Sequence, residues 1–444
     1  MVRIGLMAKQ ISTPNRREVM AGLTAASLMP AASRIASAQT RVQAPQTLEL
    51  EAKPSLTALR PGQPTIPIWG LQGPPAPPRL KRGALEVIFR NALPVATTVD
   101  WRGLDGAAAA EPLTVRLPVA PGAEATLSVA LRRAGTLLCD LRLLGDGQAP
   151  SRPLPVIVRE DAPPAVDRDE TFLIEDWRLR GDGSAWAPGA AANDASTIYT
   201  VNGEVSPEIS VRSGDRLRLR FINGCQRQVI ALKIEGYDVR VIALDGAPAE
   251  PFLARNSALV MAPGGRVDAL IDATATPGTA SQILLHDGKE ARSLARLAIS
   301  AEPPVRPTPL PPAEPLTADG LPARLDLKGA HRVDLSLAGP EWTSPASFSG
   351  SAPPAFKTKA GRTVVLTLDN RADLATIFHL HGHHFRLLDR LDDGWKPFWL
   401  DTLAVEPGQT QRIAFATEFS GRWLLESVAT SWAAPRLVRW YSVE

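Results

Sequence analysis

Apolar residues along this chain come in short runs cut by Gly and Pro, without the 3.6-residue spacing of amphipathic helices. LEVIF at 85–89, LTVRL at 113–117, ATLSVAL at 125–131 and LPVIV at 154–158 set the pattern. It resumes after DAPPA at 161–165 with Asp176-Trp177, YTVNG at 199–203, LRLRFIN at 217–223 and RVDAL at 266–270. It returns a third time in TVVLTL at 363–368, DTLAV at 401–405, QRIAF at 411–415 and GRWLL at 421–425. Short strands bounded by turn residues pack as antiparallel sandwiches. The spacing therefore predicts an all-β chain of three sandwich domains in tandem, at 45–163, 164–301 and 323–444. Between the last two, residues 302–322 carry Pro303, Pro304, Pro307, Pro309, Pro311, Pro312, Pro315 and Pro322, which predicts an extended linker.

Four of the chain's six histidines fall in one stretch, His379, His381, His383 and His384, flanked by branched and aromatic residues. Read as a continuous strand, it places His379, His381 and His383 on one face and His384 on the other. Two imidazoles at i and i+2 can grip a transition metal from one side. A packed histidine cluster without metal fits the same pattern. FHLHGH at 378–383 resembles the third-domain copper motif of the multicopper oxidases, the laccase and bilirubin-oxidase family. The resemblance spans nearly all of the chain after its first forty residues. It implies three cupredoxin-like Greek-key β-sandwiches, a type 1 copper that takes electrons from substrate, and a trinuclear copper cluster that reduces oxygen to water. The middle domain would act mainly as a spacer.

Departures from that family are extensive. Its trinuclear cluster needs four His-x-His pairs, whereas two of the six histidines here, His286 and His331, lie outside every motif. Against the family's pairs stand Asp100-Trp101-Arg102, Asp140-Leu141-Arg142, the intact His379-Leu380-His381, and Glu426-Ser427-Val428. At the type 1 positions stand Thr376, Ser427, Trp432 and Leu437. A serine hydroxyl cannot replace the thiolate on which blue copper depends. The resemblance thus implies a degenerate member, in which Asp100, Arg102, Asp140 and Arg142 converge on the old cavity opposite His379, His381 and Glu426. A salt-bridge cluster filling the cavity is the favoured reading. The other is one mononuclear metal held by His379 and His381, helped by Glu426, Asp100 or Asp140, a mixed N/O set suited to zinc, copper or iron. The two arginines disfavour a cation.

A formal net charge of +3 in 444 residues gives no footprint for nucleic acid or a polybasic membrane anchor. Arg16-Arg17 ahead of an alanine-rich run and Ala36-Ser37-Ala38 read as a twin-arginine export signal over 1–38, too short and weakly apolar to span a membrane. A periplasmic location follows. Cys139 and Cys225 read as small buried apolar residues, and Trp342, Trp395, Trp399 and Trp432 as core packing. The functional expectation is a monomeric non-oxidase binding or scaffold protein of the cell envelope, taking an envelope protein or a small molecule as partner. It is similar in kind to the family's copper-free, twin-arginine-exported cell-division member. The alternative is a copper-dependent oxidoreductase working through the residual histidines.

Overall fold

Where apolar and polar residues alternate, the strands bury one face. Glu124–Leu131 sends Leu127, Val129 and Leu131 inward and leaves Glu124 and Ser128 exposed. The computed structural model describes residues 45–60, 62, 65–317, 320–389 and 394–444; the expected export signal at 1–38 lies outside them. Strands fall into three groups, each a pair of sheets. In the first, a five-stranded sheet ordered Glu124–Leu131, Gly83–Asn91, Gln46–Thr57, Ile66–Gln72 and Ser151–Arg152 accompanies a four-stranded one. The latter runs Arg79–Leu80, Leu154–Val158, Gly135–Asp140 and Asp100–Arg102. The second group spans Arg168–Leu179 to Ala291–Ile299 in six- and five-stranded sheets, and the third His331–Ser336 to Leu437–Val443 in four- and five-stranded sheets.

Each group closes over its own core: Val87, Phe89 and Val156 in the first sandwich; Phe221, Ile230 and Leu285 in the second; Phe378, Phe415 and Trp423 in the third. Cys139 and Cys225 are both fully buried and unbonded, as small apolar residues would be. Trp342, Trp399 and Trp432 are buried.

Strand Arg216–Asn223 (RLRLRFIN) departs from the inside-outside rule, because both of its faces are covered. Leu217, Leu219 and Phe221 enter the second core. The alternate face carries arginines that meet carboxylates: Arg218 and Arg220 both reach Asp268, at 2.6 and 2.9 Å, and Arg220 also donates to Thr136 of the first sandwich at 2.9 Å. The segment at 302–322 forms no strand among its described residues, yet it is tethered. Arg216 donates to the carbonyls of Pro311 at 2.6 Å and Leu310 at 3.1 Å, and Arg306 pairs with Asp167. Apolar seams join the sandwiches, with Leu59, Ile66 and Ile68 against Trp177, and Leu143 against Leu424 and Trp440.

Candidate functional site

Strand Thr376–Leu380 lies between Thr402–Val405 and Gly421–Ala429, with His379 in register with Glu426 and with Thr402. This pairing puts an imidazole beside a carboxylate before any side chain turns. The strand then stops. Gly382 adopts φ +77°, and a Cβ there would stand 2.2 Å from the Trp423 ring. The expected continuous strand, with His383 on the face of His379 and His381, is corrected by this turn. Only His379 and His381 stay together, with ring centroids 4.8 Å apart.

His383 instead enters the aromatic core of the third sandwich, between Phe415, Phe419, Trp423 and Tyr441. Its Nε2 accepts the Phe419 N–H at 3.3 Å and its Nδ1 faces the Tyr441 hydroxyl at 2.8 Å, which in turn donates to the His381 carbonyl. Burial first, then Arg133, pulls its pKa down to about 3 from 6.5. Because the folded value is depressed, its contribution is complete above about pH 6.5 and is lost as pH falls towards 3. Denaturation series should show one extra proton taken up on unfolding in that window, about 1.4 kcal/mol per pH unit at full slope. His383→Gln should remove that proton from the slope, and an unchanged slope would refute the assignment. His384 bridges three sandwiches, its Nδ1 at 2.8 Å from Asp105 Oδ2 and its Nε2 at 2.9 Å from the Asp245 carbonyl.

The cluster around His379 and His381 draws on all three sandwiches and is fully buried. His381 sits between two carboxylates, Nδ1 at 2.9 Å from Glu111 Oε1 and Nε2 at 3.0 Å from Glu426 Oε1. Burial opposes its charge, but Glu111 and Asp100 outweigh burial and hold its pKa well above the ordinary histidine value. An imidazolium so held has no lone pair to give a metal. Glu426 is also gripped from both sides: Arg102 Nη2 donates to Oε1 at 2.8 Å and Arg436 Nη1 to Oε2 at 2.5 Å. Burial would favour the neutral acid, yet Arg102, Arg436 and His381 keep Glu426 ionised, well below the ordinary carboxylate range.

His379 differs. Thr402 Oγ1 already donates to Asp401 Oδ1, so Nδ1 of His379 must donate to the Asp401 carbonyl at 2.9 Å. Burial and then Arg102 depress its pKa, so the ring is neutral and Nε2 keeps a lone pair that meets no hydrogen-bond partner. Beside it lies an enclosed cavity of about 10 Å³, lined by Arg102, Arg142, Arg436, Gln226, His379 and Glu426, with room for one water.

The four Asp/Arg positions separate into two arrangements. Asp100 and Asp140 are cross-strand partners in the first sandwich. Arg102 lies closer to Glu426 than to Asp100, which is 3.6 Å away. Arg142 follows a strand that ends at Asp140 and begins a 3-10 turn, Arg142–Leu144, so it folds back onto Asp140 and reaches the Cys225 carbonyl at 3.3 Å. Burial first, then Glu426, raises the Asp100 carboxyl to about 7. Glu111, Arg436 and Asp401 belong to the cluster but carried no motif. His379, His381 and Glu426 present ligand atoms within 4.8 Å of one another, whereas neither Asp100 nor Asp140 belongs to that group.

At the type 1 positions the hydroxyls are occupied. Ser427 Oγ donates to the Leu337 carbonyl at 2.5 Å and Thr376 Oγ1 to Asn370 at 3.2 Å. Trp432 turns to the second sandwich, its Nε1 donating to the Ala187 carbonyl at 2.8 Å. Leu437 stands across from Ser427 and packs on the third core.

Residues 169–280 and 321–444 each match a family model described as multicopper oxidase. Multicopper oxidase MmcO of Mycobacterium tuberculosis is 25% identical over 395 residues, covering 77% of this chain and 75% of that protein. Among solved structures, Lac15 from a marine microbial metagenome shares 27% identity with a TM-score of 0.73, over 89% of this chain and 100% of Lac15. A multi-copper oxidase from Pseudomonas Thermotolerans gives a TM-score of 0.76 at 24% identity, a likeness of fold over 90% of this chain and 99% of the other.

Proposed function

The chain belongs to the multicopper oxidase family, and from that premise we propose that it is a member without a working copper centre, exported to the periplasm as a binding or scaffold protein of the cell envelope. One observation carries the reading: both oxygens of Glu426 are held by guanidiniums while His381 is locked between two carboxylates. Of the three candidate ligands, His379 alone presents a ligand atom, Nε2, that no hydrogen bond or ion pair engages. A divalent ion beside Arg102 and Arg436 would meet like charge at short range in a buried site, where such repulsion is costly. The donor set therefore does not fit the copper the family implies, and no step of oxidase chemistry is routed through it. Ser427 supports the same reading, since its hydroxyl is committed to Leu337 and offers no thiolate.

The test uses the full-length protein exported in copper-replete cells and recovered from the periplasmic fraction. It should carry no stoichiometric copper, show no intense band near about 600 nm, and consume no oxygen with phenolic substrates above a no-protein control. A blue protein with one or more coppers per chain would overturn the reading. The second reading, one mononuclear ion, is favoured by the unpartnered Nε2 of His379 at the cavity wall. It predicts one tightly held metal that is lost in His379→Ala while the fold survives.

A further inference from the structure

The proline-rich segment is more than a spacer. Arg216 forms a two-pronged pair with Asp272, Nε to Oδ1 at 2.6 Å and Nη2 to Oδ2 at 2.9 Å, and also clamps the Leu310 and Pro311 carbonyls. With Leu310, Pro312 and Ala313 fixed in this way, the segment forms one wall of a cleft of about 600 Å³ on the second sandwich. That volume lies within the range of small-molecule sites, and a wall tethered before binding costs little ordering entropy.

The lining is amphipathic. Leu270 and the linker residues Leu310, Pro312 and Ala313 give it an apolar side, and Leu253, 52% exposed, continues this to the rim. Arg240 stands in cross-strand register between Leu253 and Leu270, so a cation sits within the apolar row. Lys233 lines the cleft from strand Ile230–Ile234 of the opposing sheet. No carboxylate among the described residues pairs with Lys233 or Arg240, whereas Arg216 in the same cleft is fully engaged. Asp238 is the one unpaired carboxylate of the lining, and Asp272 is neutralised by Arg216. Two free cations against one free acid, beside the apolar side formed by Leu253, Leu270 and the linker, select an anion that carries an apolar body.

We propose that this cleft binds a small amphipathic organic anion, its carboxylate or sulfonate held between Lys233 and Arg240 and its apolar body laid on Leu253, Leu270 and the linker wall. The site lies apart from the charged cluster around His379 and stands whether or not that cluster holds a metal. Lys233 and Leu253 are exposed, Arg240 is half-buried, and none of the three belongs to the second core, so changing them leaves the fold intact.

Fluorescence titration of the full-length protein with 8-anilinonaphthalene-1-sulfonate, followed by displacement with decanoate, tests the proposal. The native protein should bind one probe saturably, and decanoate should displace it where decanol does not. Lys233→Gln with Arg240→Gln should weaken binding at least about tenfold with Tm unchanged, because each lost charge-assisted contact is worth about that factor. Leu253→Ser should weaken the probe and decanoate alike. Absence of saturable binding, equal displacement by decanol, or undiminished binding by the double variant would each overturn the proposal.

Discussion

Glu426→Ala is expected to destabilise the protein by about 4 kcal/mol, within the range seen when one partner of a buried charge cluster is removed. The carboxylate is 1% exposed and takes contacts from Arg102 at 2.8 Å, Arg436 at 2.5 Å and His381 at 3.0 Å. Its removal leaves Arg436 without a carboxylate, Arg102 with Asp100 at 3.6 Å and His381 with Glu111 at 2.9 Å, in a volume that admits one water. A loss of that size is a large share of the roughly 5–15 kcal/mol by which domains are stable. The loss should shrink when Glu426 and Arg436 are replaced together by apolar residues of similar volume, since no charge is then left unpaired on that side. Denaturant unfolding of the two single variants and the double variant gives the coupling directly. If Glu426→Ala fell within about 0.5 kcal/mol of the native protein, the cluster would be solvated and the ion-pair account wrong.

The second large effect is expected at Gly382. Alanine there must adopt φ +77°, which disfavours any residue with a Cβ, and its methyl carbon would stand 2.2–2.6 Å from three atoms of the buried Trp423 ring. Trp423 has no exposed surface into which to retreat. The neighbouring peptides are also committed, since Gly106 N donates to the Gly382 carbonyl at 3.1 Å and His381 N to the Leu424 carbonyl at 3.1 Å. Overpacking of a close-packed core costs about 1–3 kcal/mol, and the strained backbone adds about another 1–3 kcal/mol. Gly382→Ala should therefore lower stability by roughly 3 kcal/mol or more. Trp423 fluorescence should shift as its ring is displaced. A variant of native stability with an unshifted spectrum would show that the turn relaxes freely.

Gly382 also marks where sequence reasoning stopped being sufficient. The three sandwiches were legible because alternation, turn residues and proline spacing are local properties, although LTVRL at 113–117, which shares the pattern, forms a turn with Leu117 82% exposed. The convergence of Asp100 and Arg102 on His379, His381 and Glu426 was anticipated from the family pattern. The path of the chain after Leu380 was not. A glycine inside a histidine-rich run reads equally well as part of a strand, and the Trp423 ring that leaves no room for a Cβ lies far along the sequence. Arg142 reaches the cavity wall by a route that was not legible for a related reason: a strand that ends at Asp140 looks the same in sequence as one that continues. Glu111, Arg436 and Asp401 were missed because a partner in a buried ion network is defined by distance in space, not by spacing in the chain.

Arg266 belongs in full to none of the sandwiches. It leaves strand Arg266–Asp272 of the second, donates to the Thr136 carbonyl of the first at 3.1 Å, and pairs with Asp401 of the third at 2.7 Å, with no surface left to water. Arg220 reaches across to Thr136 in the same way. Such a chain resists dissection into working parts. A middle sandwich cut from its neighbours would bring these guanidiniums into the open with one counter-charge gone, and the third would keep Asp401 without its cation. In evolutionary terms the arrangement works as a ratchet: once Arg266 and Asp401 are buried against each other, parting the second sandwich from the third leaves a charge unpaired on each side.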